Sequence, residues 1–197
     1  MPTSRLEAFS DGVLAVIITI MVLELRPPEG TSFADLGDRS TSFLTYLLSF
    51  IYIGIYWNNH HHLFQVVRRI DGTVLWANLH LLFWLSLYPF TTAWMDETSL
   101  AQTPVVVYGI NLLAAAIAYY VLQLAILRAE GDDGVLRDAL GRDVKGKISP
   151  VLYLAGIAST LWVAVWLGLV FYAVVAAIWL VPDRRMESFV AQHGTST

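Results

Sequence analysis

The sequence contains no cysteine. That excludes disulfides, thiol nucleophiles and cysteine-ligated metals, and leaves the redox compartment unread. Charge is also scarce. Only 14% of the 197 residues are Asp, Glu, Lys or Arg, against about 25% in an ordinary soluble domain. The net charge of −4 and the pI near 5.6 offer no basic surface for a nucleic-acid partner. Hydrolase and nucleotide-binding signatures are missing too. There is no G-x-S-x-G, no H-E-x-x-H and no glycine-rich phosphate cradle, so no enzyme is expected.

What is present is apolar. Hydrophobic residues make up 56% of the chain, with a mean hydropathy of +0.59. Long runs carry no charge at all: Thr41 to Val67, Gly72 to Met95, Thr98 to Leu127 and Ile148 to Val181. A bilayer span needs roughly 20 apolar residues. The last run would make about 50 Å of helix at 1.5 Å per residue, too long for one crossing. Trp162 and Trp166 lie near its middle, and indole rings favour the membrane–water interface. The run therefore reads as two helices joined by a tight turn. A shorter charge-free run, Gly12 to Leu23, is bracketed by Asp11 and Glu24. A signal peptide is the competing reading there. Glu7 and Asp11 are wrong for its leading part, and no A-x-A-like cleavage site follows.

These patterns predict an all-α membrane protein: one domain over 1–197 with six transmembrane helices, at about 6–25, 41–68, 72–95, 103–128, 148–164 and 166–182. Basic residues orient it. With a cytoplasmic N-terminus, the inner segments hold Arg5, Arg68, Arg69, Arg128, Arg137, Arg142, Lys145, Lys147, Arg184 and Arg185, and the outer ones only Arg26 and Arg39. Ten against two obeys the positive-inside rule and places both termini inside. The loop 26–40 is then external, 129–147 is the one sizeable cytoplasmic loop, and the tail from Glu187 is short.

The first helix is the most informative. At about 100° per residue, Val16, Thr19 and Leu23 share a stripe some 60° wide, with Gly12 close by. Asp11 lies about 140° from Val16. A carboxylate facing lipid is costly, so Asp11 is expected to turn toward another helix and find donors such as Arg5, His60 or Asn78. Taken on periodicity alone the stripe reads as ordinary helix packing, and Asp11 as a structural hydrogen-bonding group near the cytoplasmic interface, with an ion or proton site as the functional alternative. Three adjacent histidines, His60, His61 and His62, invite a metal site. Adjacent helical residues diverge by about 100°, whereas helical ligand pairs sit three or four apart, so no metal is expected. His60 falls near the face of Trp57 and Phe64, and His61 and His62 read as interfacial, near Arg68.

At Arg5, Phe9, Ser10 and Asp11 the chain carries R-x-x-x-F-S-D. Here it strongly resembles the transmembrane protein 175 family of endosomal and lysosomal potassium channels and their prokaryotic relatives. The likeness continues from Val16 to Leu23, through Trp57, His60 and Leu63 to Val67, and to Asn78, Leu79 and Pro89; beyond that it is mainly one of hydropathy. The resemblance implies a single-repeat, prokaryotic homotetramer in the plasma membrane, with a central pore lined by helix 1. Val16, Thr19 and Leu23 would form its constriction, although the family often has Ile where this chain has the smaller Val16. Arg5, Phe9, Ser10, Asp11, Trp57, His60 and Asn78 would form a polar network holding helix 1 in rotation. The function implied is passive conduction of K⁺ and other monovalent cations, with no cofactor. The T-V-G-Y-G filter of ordinary potassium channels is absent. The external acids Glu24, Glu29, Asp35 and Asp38 could concentrate cations at the mouth. A proton-coupled transporter using Asp11 and His60 is the alternative, and a membrane scaffold without transport is a third reading.

Overall fold

A computed structural model of the chain describes residues 3–65, 67, 69–131 and 144–180. These residues form eight helices and no strand: α1 (Thr3–Leu23), α2 (Phe33–Gly37), α3 (Ser40–Gln65), α4 (Gly72–Ser86), α5 (Tyr88–Glu97), α6 (Gln102–Glu130), α7 (Val144–Trp162) and α8 (Val165–Leu180). Arg68, Arg137, Arg142, Arg184 and Arg185 of the basic-residue count lie outside the described residues, as do most of the loop 129–147 and the tail from Glu187. By length and composition, α1 and α6 can each cross a bilayer unaided, and α8 is a shorter apolar helix.

Two helices exceed the expected six. The first is α2, inside the external loop. Ser32 caps it: its hydroxyl accepts from the Asp35 N–H at 3.2 Å, and the Asp35 carboxylate accepts from the Ser32 N–H at 2.8 Å. This reciprocal box satisfies end groups that a five-residue helix would otherwise leave unpaired. The second arises because the helix expected over 72–95 is two. Pro89 has no N–H, so the carbonyl one turn earlier loses its helical donor. The chain bends at Leu87, whose N–H still donates to the Trp84 carbonyl at 3.3 Å and whose carbonyl accepts from the Thr91 N–H at 3.0 Å.

The bend seats α5 against α3 and α6 while α4 packs on α6, and α1 leans on α3, α4 and α5. The centre of the bundle is rich in tyrosine. Tyr52, Tyr88, Tyr108 and Tyr172 are fully buried. The Tyr52 hydroxyl donates to the Tyr172 carbonyl at 2.6 Å, and Ser49 joins Tyr108 at 3.0 Å and Thr92 at 2.7 Å. Buried hydroxyls carry a desolvation cost unless paired in this way, and the pairs tie α3 to α5, α6 and α8.

The turn expected between the last two helices is present at Val163 and Ala164, whose N–H groups both donate to the Ser159 carbonyl at 2.9 Å. Trp162 and Trp166 flank it and are exposed. The two helices approach closely at glycines. A Cβ on Gly168 would collide with the Thr160 hydroxyl and lie 2.8 Å from the Gly156 carbonyl oxygen. Small residues allow such backbone contact between helices in lipid.

Gly168→Val forces α7 and α8 apart and is expected to cost about 1–3 kcal/mol; a thermal melt in detergent with an unchanged midpoint would contradict it. The Ser32 hydroxyl and N–H hold the Asp35 carboxyl below its usual range. The cap is therefore complete above that range and is lost as pH falls through the lowered value. Amide exchange at Ser32, corrected for its intrinsic pH dependence, should accelerate on acidification, and Asp35→Asn should abolish that inflection.

Candidate functional site

The environment of α1 is sharply two-sided. Its buried side chains are Leu6, Ser10, Leu14, Ile17 and Met21, which share an arc of about 80° at 3.6 residues per turn. Opposite them run Arg5, Phe9, Gly12, Val16, Thr19 and Leu23, all exposed. Val16 is 57% and Leu23 76% exposed, and a Cβ on Gly12 would meet open space. An apolar helix has thus buried one narrow stripe and left the Val16–Thr19–Leu23 stripe bare. Ile20, which the sequence reading leaves out, is 43% exposed and lies on the same face, about 40° from Val16. The Thr19 hydroxyl donates to the Ala15 carbonyl at 2.8 Å, so its outward-facing oxygen offers only lone pairs.

The buried stripe is anchored by polar groups. The Asn78 amide donates to the Ser10 hydroxyl at 2.9 Å, and Ser10 donates in turn to the Leu6 carbonyl at 2.9 Å. His60 Nε2 lies 2.8 Å from the Asn78 side-chain oxygen. That oxygen can only accept, so Nε2 carries the proton. The imidazole stacks on Phe64 at 4.4 Å between ring centroids, and its Nδ1 has no partner among the described residues. Ser10, His60 and Asn78 are all essentially inaccessible to solvent. This relay joins α1, α3 and α4.

A second contact binds α1 to α3 nearer the N-terminus of α1. His61 Nδ1 meets a Glu7 carboxylate oxygen at 2.7 Å, and the Gln65 amide donates to His61 Nε2 at 2.8 Å. Trp57 stacks on the His61 ring. His61 is expected from the sequence to be interfacial, near Arg68, which lies outside the described residues. The Trp57–His61–Gln65 spacing of four was the signal available, but its partner Glu7 is remote in sequence. His60 and His61 meet different partners, and no group of three metal-ligating side chains comes together among the described residues.

Of the seven residues expected to form one network, the structure brings together Ser10, His60 and Asn78. Arg5 and Phe9 lie within about 20° of Val16 on the helix and share its bare face. Trp57 is half exposed. Asp11 is partly buried and, like Arg5, forms no hydrogen bond or ion pair among the described residues. Of the donors sought for Asp11 within the chain, His60 and Asn78 are engaged with each other and with Ser10, and Arg5 lies on the bare face of α1.

At the other end of α1, Glu24, Arg26, Arg39, Asp96 and Glu97 line a cleft of about 400 Å³. Arg26 pairs with Glu97 at 3.3 Å, and the Ser42 hydroxyl donates to Asp96 at 2.7 Å. Glu24 alone of the four anticipated external acids lines this cleft; Asp96 and Glu97, from α5, were not anticipated.

The relay predicts an asymmetry between its members and their neighbours. Asn78→Ala strands Ser10 and His60 in a dry site, at about 1–3 kcal/mol for each group left unpaired. The thermal midpoint should fall by roughly 5 °C or more, whereas Trp57→Phe, on the half-exposed side, should leave it nearly unchanged. Equal midpoints for the two variants would refute the anchoring role.

Comparison with known proteins matches this arrangement. The family model described as the endosomal/lysosomal potassium channel TMEM175 matches residues 5–89, which hold α1, the relay and Pro89. A protein named as a potassium channel from Chryseobacterium sp. (strain P1-3) is 52% identical over 193 residues, covering 98% of this chain and 100% of that protein. A potassium channel of Chamaesiphon minutus is 33% identical, over 84% of this chain and 87% of that one. A solved structure, described as a lysosomal potassium-selective channel TMEM175 homolog from Chamaesiphon minutus, superposes with a TM-score of 0.80 at 32% identity, covering 93% of this chain and 97% of that one. The zebrafish (Danio rerio) protein named as an endosomal/lysosomal proton channel TMEM175 is 30% identical over 118 residues, only 22% of its length. These relatives are membrane channels and not enzymes, and the chain belongs to their family, TMEM175.

Proposed function

We propose that the protein is a potassium-permeable cation channel, a homotetramer in which the bare face of α1 from each copy lines a central pore. The observation that carries this reading is the exposed Val16–Thr19–Leu23 stripe, with Ile20 beside it, on a helix whose opposite face is locked in place. An apolar stripe ringed four times makes a constriction that closes by dewetting and opens by slight widening. The Thr19 oxygens would face a partly hydrated K⁺ as acceptors. No cofactor is needed, since conduction is passive. The bacterial relatives named as potassium channels support the choice of ion.

Six crossings, formed by α1, α3, the α4–α5 pair, α6, α7 and α8, make one transmembrane domain over 1–197. Both termini face the cytoplasm of a prokaryotic cell, and the protein sits in its plasma membrane. Arg5, Phe9, Asp11 and Trp57, which Ser10, His60 and Asn78 do not engage within one subunit, complete the network across the boundary with the neighbouring copy. The transporter reading, with Asp11 and His60 as a proton relay, has less support: His60 is bonded to Asn78, and no hydrogen bond joins it to Asp11.

Ion flux into reconstituted liposomes tests the pore. Leu23→Trp should abolish K⁺ flux, and Thr19→Ala should change the K⁺/Na⁺ preference while leaving flux present. Undiminished permeation in Leu23→Trp together with unaltered preference in Thr19→Ala would remove α1 from the pathway. Saturating flux without single-channel currents would favour the transporter.

A further inference from the structure

We propose that a crevice between α6 and α7, away from the α1 face, binds an anionic phospholipid from the leaflet at which α7 begins, cytoplasmic in the orientation proposed above. The crevice consists of two adjoining cavities that share Ala116, Tyr120, Gln123 and Gly146. The outer one, of about 220 Å³, is bordered by Ile117, Lys147 and Pro150. The inner one, of about 50 Å³, reaches Tyr56 and Ser149. Small side chains at Ala116 and Gly146 leave the gap between the two helices.

The crevice opens onto an apolar surface. Ile117 and Tyr120 of its lining are exposed, as are Val121 and Val151, next in sequence to Tyr120 and Pro150, and Leu154 one turn on; in a membrane protein that surface faces acyl chains. Its lining then follows the chemistry of a phospholipid from tail to head. Ile117, Tyr120 and Pro150 accept methylenes. Gln123 offers an amide. Lys147, exposed at the rim in the first turn of α7, supplies positive charge at the depth of a phosphate. Inside, the Tyr56 ring packs edge-on against Tyr119 at 6.0 Å between centroids, and Tyr56 is 8% exposed. Its hydroxyl makes no hydrogen bond among the described residues although it lines the inner cavity. An ester oxygen reaching that cavity gives this donor its acceptor. Basic side chains near a bilayer surface favour anionic over zwitterionic headgroups, which selects the occupant.

Native mass spectrometry of the full-length protein in detergent, with phosphatidylglycerol and phosphatidylcholine added in equal amounts, tests the site. The wild type should retain phosphatidylglycerol in preference by about fivefold, the bias expected of one basic side chain at the membrane surface. Lys147→Glu, at an exposed position, should erase the preference. Tyr56→Phe keeps the ring and should lower retention of both lipids, and Ala116→Phe, which fills the crevice, should lower it further. Equal retention of the two lipids by the wild type, or an undiminished preference in Lys147→Glu, overturns the proposal. If Ala116→Phe does not assemble, the other two variants still decide the outcome. No ion flux is measured, so failure here leaves the pore reading standing, and a silent pore leaves the lipid site standing.

Discussion

The rotation of α1 about its own axis is the constraint on which the rest depends. An apolar helix in a bundle has little hydrophobic reason to prefer one face over another when lipid is as apolar as its neighbours. Direction comes instead from the hydrogen bonds that a dry interior makes obligatory. Asn78 holds Ser10 on one side and His60 on the other, so one amide fixes α1 relative to both α3 and α4. Glu7 and His61 hold the same helix nearer its N-terminus. Turning α1 by one residue position, about 100°, would break both contacts and carry Val16 out of its present direction.

Serine is a modest residue for this role, and its selection over the adjacent aspartate has a physical reason. A neutral hydroxyl both accepts from Asn78 and donates to the Leu6 carbonyl, so its proton and one lone pair are used without burying a charge. A carboxylate at the same angle would accept from Asn78 but lie against the Leu6 carbonyl with no donor to offer. Asp11 instead sits on the flank of the helix, partly buried, where a charge retains some exposure.

Much of this was legible in the sequence, and the limits have identifiable causes. The charge-free runs mark every long helix, and the tryptophans mark the turn at Val163 and Ala164. The wheel angles separate Val16, Thr19 and Leu23 from Asp11 before any contact is known. Ile20 was missed because the chosen stripe was drawn too narrow for a helix that buries only about 80° of its circumference. The division at Leu87 was half legible: Pro89 announces a break, but whether the chain kinks or restarts depends on which carbonyls find new donors. The short helix at Ser32 is encoded by a serine–aspartate box that hydropathy does not register. The pairing of Glu7 with His61 was beyond reach, because residues 54 positions apart meet only after two helices have chosen their packing.

The bond of the Thr19 hydroxyl to its own helix has a consequence for the sign of charge the α1 face can accommodate. Because the proton is committed to the Ala15 carbonyl, the exposed part of the side chain is a methyl group and a partially negative oxygen. Valine, isoleucine and leucine beside it contribute no donor. A chloride ion meeting the stretch from Val16 to Leu23 would lose water and gain no hydrogen bond there, while a cation would find at least an oxygen; the donors on this face, those of Arg5, lie about three turns away. In the pore proposed for α1, discrimination against anions within this stretch would need no acidic side chain; it would follow from the direction in which one hydroxyl points.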